Sequence, residues 1–369
     1  MFKTAAPTCA LALLLAGAYS ASCDTFVQTD LVSDIPGLAP LTDPNLKNPW
    51  GVSFSATSPF WVSNAASNTS TLYNSSNQLA LTVGVAGGPT GQINVPNTLP
   101  STDFPVNGGN GTRASFVFDT LNGNILAWNG GSAATLQASH TGAAYTGMAF
   151  GTVGTTPFIY TANFAQNSID VYNAAWAQAT VAGNFTDPNL PAGYRPFNIQ
   201  NINGNLYVEY AQAGTGPTSP GRGAGLGVVD VYSTSGVLLQ TLVSPGGQLN
   251  APWGVVLAPA GFGSFGGDLL VGNFGNGQIN AFNPVTGAFL GTLDGPSGNP
   301  LVNANLWALA IRAAGSGFDA NGIYFTAGIN GQSDGVYGVI DAAPEPGTFT
   351  LLLVGSGIAG LTFMRRRRA

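Results

Sequence analysis

Cysteine is nearly absent from this chain of 369 residues, and its absence excludes one common way of stabilising an exported domain. There are two cysteines, Cys9 and Cys23, and Cys9 lies in an N-terminal segment that we expect to be removed. A mature protein that keeps only Cys23 cannot form an intramolecular disulfide bond. The domain must therefore be held together by a large hydrophobic core, and a body of about 300 residues is long enough to form one.

Charge is equally scarce. Charged residues make up 7% of the sequence, against roughly 25% in ordinary globular proteins. Between Asp24 and Asp341 there are five basic and fifteen acidic side chains. An acidic body of this kind is a poor partner for nucleic acid or for an anionic membrane surface. With 44% hydrophobic residues and 52 glycines, the composition favours many short strands and tight turns over disorder.

The residues that most catalytic sites require are also rare. His140 is the single histidine, and Glu209 is the single glutamate before the C-terminal tail. A serine–histidine–aspartate or cysteine–histidine arrangement therefore lacks convincing members, and a zinc site lacks ligands. We assign no catalytic residue from the sequence.

The N-terminus has the order of a secretory signal peptide. Lys3 precedes the apolar run from Cys9 to Ala16, and small residues follow to Ser22. The run is too short to span a membrane. We therefore expect residues 1–22 to direct export through the Sec translocon. Cleavage sites after Ala18 and after Ser22 both fit, and the sequence leaves the choice open.

The C-terminus combines three signals. Pro344, Glu345 and Pro346 are followed by an apolar stretch from Thr348 to Met364, and the chain then carries four arginines, Arg365, Arg366, Arg367 and Arg368. Seventeen helical residues span about 25 Å, which predicts a single transmembrane helix with its arginines in the cytoplasm and the body outside. The segment 344–369 resembles the PEP-CTERM sorting signal. In that family an exosortase recognises the Pro-Glu-Pro motif and cuts the tail. The resemblance implies transient anchoring in the inner membrane, followed by a cell-surface or extracellular address.

Internal repeats organise the body, residues 23–343. Three ten-residue segments align without gaps: Asn64–Tyr73, Asn163–Tyr172 and Asn273–Phe282. Each follows a short apolar run and then alternates toward an aromatic residue, which is the pattern of a β-hairpin. Looser copies surround Asp119, Tyr210 and Ala327. The repeat predicts one hairpin in each of six structural units.

A second repeated signal precedes each hairpin. The sequence Pro49-Trp50-Gly51-Val52 recurs as Pro252-Trp253-Gly254-Val255, and degenerate versions bring the starts to residues near 49, 89, 145, 195, 252 and 306. A four-stranded propeller blade needs about 40 to 50 residues with its loops. The sequence therefore predicts an all-β protein, a six-bladed β-propeller. Phe26–Ser33 precede the first start and are expected to form the outer strand of the last blade, which closes the ring.

The body also resembles a family of uncharacterised exported bacterial propeller proteins, some of which end in a PEP-CTERM tail. The residues that carry this resemblance are Asn48–Val52, Ser58–Val62, Ser70–Tyr73, Ala162–Gln166, Pro196–Asn201, Ala251–Gly267 and Gly272–Gly275. The resemblance covers nearly the whole body and implies no particular activity.

The repeats also predict a candidate ligand site at one mouth of the central channel. Side chains at the end of each second strand and at the start of each first strand open on the same face of a propeller. We expect them to form a ring of amides and aromatic groups that could bind hydroxyls and stack on sugar rings. Its members are Asn64, Asp119, Asn163, Tyr210, Asn273, Trp50, Arg195, Trp253 and Trp307. The opposing interpretation is that the amides satisfy turns and the aromatic residues pack between blades.

Two kinds of function fit this site. The favoured hypothesis is a non-enzymatic propeller that binds polysaccharide, a small molecule or an envelope protein, or that serves as a scaffold without a ligand; it requires no cofactor. The alternative is a calcium-assisted enzyme of lactonase-like type. It depends on Asp119, a weak candidate calcium ligand, lying in the channel beside Asn163.

Overall fold

A computed structural model describes residues 25–343 of the chain. The expected signal peptide (1–22), the transmembrane helix and the residues of the sorting tail (Pro344, Glu345, Pro346 and Arg365, Arg366, Arg367, Arg368) lie outside the described residues. Within residues 25–343, no helix has both the length and the apolar character needed to cross a membrane.

The described chain is built almost entirely of strands. Two strands precede the first blade: β1 (Phe26–Ser33) and β2 (Leu41–Thr42). Blade 1 contains β3 (Pro49–Ser53), β4 (Phe60–Asn64), β5 (Thr69–Tyr73) and β6 (Leu79–Gly84). Blade 2 contains β7 (Pro89–Asn94), β8 (Phe116–Thr120), β9 (Asn124–Trp128) and β10 (Thr135–Ser139). Blade 3 contains β11 (Tyr145–Val153), β12 (Thr156–Asn163), β13 (Ser168–Asn173) and β14 (Gln178–Ala179).

The later blades carry the insertions and the two short helices. Blade 4 contains β15 (Tyr194–Ile202), β16 (Asn205–Gly216), β17 (Ser219–Pro220), β18 (Gly227–Ser233) and β19 (Leu238–Val243). Blade 5 contains β20 (Pro252–Leu257), a 3-10 turn at Gly263–Phe265, β21 (Leu269–Asn273), β22 (Ile279–Phe282) and β23 (Phe289–Thr292). Blade 6 contains β24 (Leu306–Ala310), β25 (Ile323–Ala327), α1 (Ile329–Gln332) and β26 (Val336–Ala342).

These strands form six separate sheets, as in a propeller; within each blade neighbours along the chain pair antiparallel, and β1 and β2 join the sixth sheet with a parallel pair between them. The innermost strands β3, β7, β11, β15, β20 and β24 begin at Pro49, Pro89, Tyr145, Tyr194, Pro252 and Leu306. These positions match the six starts expected from the repeats to within one residue. The prediction of an all-β, six-bladed propeller is confirmed. We call the face where the innermost strands begin the upper face, and the opposite one the lower face.

The ring closes through the first strand. β1 pairs with β26 in antiparallel register, from Phe26 opposite Ala342 to Ser33 opposite Val336. The sixth sheet therefore contains strands from both ends of the body, as expected from the sequence. Because closure removes the free edge of the last blade, the two ends stabilise each other.

Each innermost strand carries a β-bulge near its beginning. Glycine is common there because a side chain would collide with the next blade: an added Cβ at Gly51 would meet the Thr90 carbonyl oxygen, and one at Gly254 would meet that of Trp307. The innermost strands can therefore approach one another backbone to backbone, which narrows the axis of the propeller.

Candidate functional site

The upper end of the axis is filled by aromatic rings. Trp50 and Trp307 are stacked with ring centroids 3.4 Å apart, and Trp253 meets Trp307 edge-on at 5.7 Å. Phe197, from the innermost strand of blade 4, lies 5.8 Å from Trp307. Two further rings come from the hairpin turns, and all six are at most 3% exposed. We call this cluster the aromatic plug; its members are Trp50, Phe164, Phe197, Trp253, Phe274 and Trp307.

Hydrogen bonds hold two of the indole rings in place. The Trp307 Nε1–H donates to Asn48 Oδ1 at 3.0 Å. The Trp253 Nε1–H donates across the axis to the Thr146 carbonyl oxygen at 2.7 Å. These rings therefore pack as a core between blades. The structure does bring Trp50, Trp253 and Trp307 together, as expected, but in a closed cluster where the sequence predicts an open mouth.

The predicted amides occupy equivalent positions but bind the chain itself. Asn64 and Asn273 each lie opposite the proline that begins the innermost strand of their blade. Asn64 Nδ2 donates to Thr71 Oγ1 at 2.9 Å, and Asn273 Oδ1 accepts from the Asn250 backbone N–H at 3.0 Å. Both side chains are fully buried. The Nδ2 groups of both side chains donate to the chain itself, while Asn64 Oδ1 is buried without a partner among residues 25–343.

The other two members of this position behave alike. Asn163 Nδ2 donates to Asp170 Oδ2 at 3.0 Å, and its Oδ1 accepts the Ala144 backbone N–H at 3.3 Å. Tyr210 is buried, and its hydroxyl lies 2.9 Å from that of Tyr232. The side chains at this position are therefore already engaged within the propeller.

Asp119 does not occupy the position that the sequence alignment gave it. Pro89 pairs with Thr120, so Thr120 is the counterpart of the repeated asparagine and Asp119 lies one residue earlier. Because successive side chains of a strand point to opposite faces, Asp119 is directed away from the amide ring. Its Oδ1 accepts the Thr90 hydroxyl at 2.8 Å and the Gly91 N–H at 2.6 Å. Burial raises the pKa of Asp119 to about 7. The expected place of Asp119 beside Asn163 is corrected accordingly.

Arginines cover the plug from above. Arg195 Nη1 donates to the carbonyl oxygens of Phe164 and Ala165 at 3.3 and 3.1 Å. Arg222 comes from the insertion between the second and third main strands of blade 4; its guanidinium lies 4.3 Å from the Phe274 ring, and its Nη2 donates to Asn305 Oδ1 at 2.8 Å. Arg195 is one of the residues expected at this mouth from the sequence, whereas Arg222 is not, because a Gly-rich insertion gives no sign of where it folds.

The lower end of the axis is the accessible one. A chamber of about 280 Å³ opens there, lined by residues 52–54, 92–94, 148–150 and 200–201. A narrow cavity of about 20 Å³, lined by residues of all six blades, shares Val52, Gln92, Met148 and Gln200 with that chamber and also includes Trp253. The axis is therefore a channel that opens on the lower face and ends at the aromatic plug.

A carboxyl group is buried in blade 4 opposite Asn198, a residue that lines the narrow cavity. Glu209 pairs in register with Asn198 in blade 4, where it holds the position that Asp119 holds in blade 2. Within residues 25–343, neither of its carboxyl oxygens has a hydrogen-bond partner. Burial raises the pKa of Glu209 well above its usual range. Burial therefore favours the neutral form of this group in the folded protein.

These raised pKa values predict that stability falls as the pH rises. The folded protein retains protons on Asp119 and Glu209 that the unfolded chain releases above about pH 4, so the free energy of unfolding decreases as the pH rises, up to about pH 7 for Asp119. The limiting slope is about 1.4 kcal/mol per pH unit for each carboxyl. In urea unfolding, Glu209→Gln is expected to match the wild type near pH 4.5 and to have the larger free energy of unfolding at pH 8. Parallel pH profiles for the two proteins would contradict this assignment.

A second polar cluster lies on the side of blade 3. His140 Nδ1 is 2.7 Å from Asp170 Oδ2, and the Tyr145 hydroxyl donates to the same carboxylate oxygen at 2.9 Å. His140 is one-third exposed and borders a cavity of about 520 Å³. The carboxylate can fix the orientation of the imidazole. Sequence reasoning missed this pair because its members are 30 residues apart and belong to no recognised motif.

Metal ligands are not concentrated at any of these places. Across the part of the chain that the structure describes, no group of three or more His, Cys, Asp or Glu side chains is arranged to hold a metal ion.

Comparisons with known proteins agree with the tail and the fold. The PEP-CTERM protein-sorting motif matches residues 342–368. Uncharacterized protein R648 of Acanthamoeba polyphaga mimivirus is 32% identical over 333 residues, covering 84% of this chain and 78% of that protein. Uncharacterized protein L690 of the same virus is 31% identical over 339 residues, covering 84% of this chain and 83% of that protein.

Solved structures show the same architecture at low identity. A streptogramin B lyase superposes with a TM-score of 0.52 at 10% identity, covering 87% of this chain and 98% of the other. The virginiamycin B lyase of Staphylococcus aureus gives 0.51 at 13% identity, covering 86% and 99%. Identities this low establish a shared fold and carry no information about chemistry.

Proposed function

We propose that this chain is a non-enzymatic binding or scaffold protein of the cell surface or extracellular matrix. It belongs to the family of the mimivirus proteins R648 and L690. The PEP-CTERM motif at residues 342–368 implies an exported protein that an exosortase processes. In this proposal the Sec translocon exports the chain, the C-terminal segment anchors it in the inner membrane, and cleavage at Pro344-Glu345-Pro346 releases the body.

The aromatic plug is the observation that carries the binding or scaffold role. A propeller that acts on a small molecule in its upper mouth needs an accessible cavity there. Here the upper end of the axis is filled by rings that are at most 3% exposed. The plug therefore serves to hold the blades together, and ligands are expected to bind at other surfaces of the body.

The calcium-assisted alternative has less support. It requires Asp119 to face Asn163 across the channel, whereas Asp119 lies on the other face of its strand and one of its oxygens already accepts two hydrogen bonds. We therefore favour the binding or scaffold role.

Replacing the sorting motif tests the proposed route. In a host that has an exosortase, the Pro344→Ala/Glu345→Ala/Pro346→Ala variant is expected to accumulate as the uncut, membrane-associated chain, because the enzyme lacks its recognition residues. The wild type should appear outside the membrane fraction at a lower mass. Immunoblots of cell fractions and intact-mass spectrometry measure both.

Two controls make this experiment specific. Pro245→Ala, at an exposed proline of the body, should be processed like the wild type. Deletion of the exosortase should give the wild type the behaviour of the triple variant. Normal cleavage and release of the triple variant would refute the proposed route.

A further inference from the structure

The interface between blades 1 and 2 contains an open gap lined by aromatic rings. Trp61 pairs across the sheet with Leu72 in blade 1, and Phe116 pairs with Trp128 in blade 2. Both pairs face the same interface, where the Trp61 ring stacks on Phe116 at 4.1 Å and lies 4.8 Å from the Trp128 ring. The cavity between them measures about 560 Å³ and is bordered by residues 55–58, 94–97 and 113–116. We call it the blade 1–2 gap.

The equivalent gap between blades 3 and 4 is filled by the chain itself. Tyr160 is the counterpart of Trp61, because each lies three residues before the repeated asparagine of its blade. Tyr232 is the counterpart of Trp128 in strand register. Phe185, from the connection between those blades, inserts between the two tyrosines. Its ring lies 5.7 Å from that of Tyr160 and 5.4 Å from that of Tyr232. The repeat thus places a six-membered ring at this position.

Loop residues also fill three other interfaces. Phe104 packs against Trp176 at 5.3 Å between blades 2 and 3. Phe262 packs on Phe26 at 4.8 Å between blades 5 and 6, and Phe318 packs on Phe60 at 4.7 Å between blades 6 and 1. No loop of the described chain inserts a ring between Trp61 and Trp128. Trp61 and Trp128 instead contact each other directly, and the blade 1–2 gap lies open beside them with the half-buried Trp128 at its rim.

One buried polar group at the blade 1–2 gap lacks a partner, whereas the Trp128 Nε1–H donates to the Gly131 carbonyl oxygen and both tyrosine hydroxyls around Phe185 are bonded. In the filled gap, the Tyr160 hydroxyl donates to the Thr234 carbonyl oxygen at 2.7 Å, and the Tyr232 hydroxyl donates to Asp230 at 3.1 Å. In the open gap, the Trp61 Nε1–H is buried and has no partner among residues 25–343. A buried donor without a partner costs about 1–3 kcal/mol, which a ligand that accepts its hydrogen bond would recover.

The rim adds further unused donors and acceptors. Arg113 bonds the Leu99 carbonyl oxygen through Nη1 and forms no ion pair with any carboxylate of the described chain. The Ser115 hydroxyl and the Asn97 amide make no hydrogen bond within that part of the protein. An occupant that uses these groups carries hydroxyl groups and an anionic group, which a purely apolar ring such as a phenyl side chain lacks.

We propose that the blade 1–2 gap binds one pyranose unit of an acidic glycan, with its apolar face against Trp128 and its carboxylate beside Arg113. Aromatic rings complement the apolar face of a sugar, while the arginine pairs with the carboxylate and the amide and hydroxyl groups bind the sugar hydroxyls. This site lies between blades and apart from the upper mouth, so the inference goes beyond the proposed sorting route and can be tested without it.

Calorimetric titration of the purified full-length protein tests the proposal, with a glucuronic-acid oligosaccharide and its neutral glucose counterpart as probes. The wild type is expected to bind the acidic probe about tenfold more tightly than the neutral one. Trp128→Ala should weaken both by about tenfold or more. Arg113→Gln should remove only the preference for the acidic probe. Thermal melts establish that each variant is folded.

A matched tryptophan provides the control. Trp176→Phe alters a buried ring at a different interface and should leave both affinities unchanged. The proposal is overturned if the folded wild type binds neither sugar at millimolar concentration, or if Trp128→Ala binds both sugars like the wild type.

Discussion

Deletion of Phe26–Ser33 (β1) from the full-length chain is expected to abolish the cooperative unfolding transition of the propeller. This strand forms seven paired positions with β26 and buries Phe26 against Phe262 and Phe265. Removal of β1 exposes the edge of the last blade and opens the ring. The expected decrease in the free energy of unfolding exceeds the few kcal/mol by which domains are usually stable. Circular dichroism and scanning calorimetry measure the outcome.

A deletion of similar size elsewhere is the control. Removal of residues 214–219, at the tip of the blade 4 insertion, takes away a mostly exposed turn. The expected cost is about 1 kcal/mol or less, because loop length has a weak effect on stability. Equal destabilisation by the two deletions would show that β1 is an appendage to the propeller and does not close its ring.

The second large effect is expected for Trp307→Ala, which should lower the free energy of unfolding by about 3–5 kcal/mol. The indole of Trp307 contacts Trp50, Trp253, Phe197 and Phe274 and donates a hydrogen bond to Asn48. Its removal leaves a cavity where four blades meet and leaves an amide acceptor without its donor. Urea unfolding followed by circular dichroism gives the change directly.

Trp128→Ala is the matched comparison, because Trp128 is half-buried at the rim of the blade 1–2 gap. The side chain is already partly in water, so its truncation should cost clearly less than that of Trp307. If Trp307→Ala were no more destabilising than Trp128→Ala, the aromatic plug would not be a core between blades.

The blade architecture could be predicted from the sequence because it is local and repeated. Pro49-Trp50-Gly51-Val52 and Pro252-Trp253-Gly254-Val255 mark the same turn into an innermost strand, and β3 and β20 begin at those prolines. The closing role of Phe26–Ser33 followed because one further strand was needed to complete the last blade. Both inferences use only the repeated sequence pattern and the number of strands that each blade needs.

The candidate site was harder to predict than the blades, because it depends on the pairing register of the strands and on distances across the propeller axis. The alignment of Asp119 with Asn64 was wrong by one residue, which reverses the face of the strand. The burial of Trp50 and Trp307 depends on how closely Gly51 and Gly254 allow neighbouring blades to approach. A sequence shows that such glycines are present but does not give the width of the channel that they leave.

The blade 1–2 gap was also beyond sequence reasoning. Trp61 and Trp128 are 67 positions apart, and only comparison with Tyr160, Tyr232 and Phe185 shows that this interface keeps an open cavity where the other is filled by a loop ring. The blade 1–2 gap is therefore recognised by comparing equivalent positions of different blades, and no single sequence motif contains it.

Iodide quenching of tryptophan fluorescence in the Trp128→Phe variant tests the closed upper mouth most directly. All six tryptophans lie in the propeller, and the five other than Trp128 are at most 6% exposed. The closed aromatic plug predicts that iodide quenches the wild type through Trp128 and that the variant shows almost no quenching. Quenching that persists in the variant and falls when Trp50 or Trp307 is replaced by phenylalanine would show that the upper mouth is open and would contradict the account.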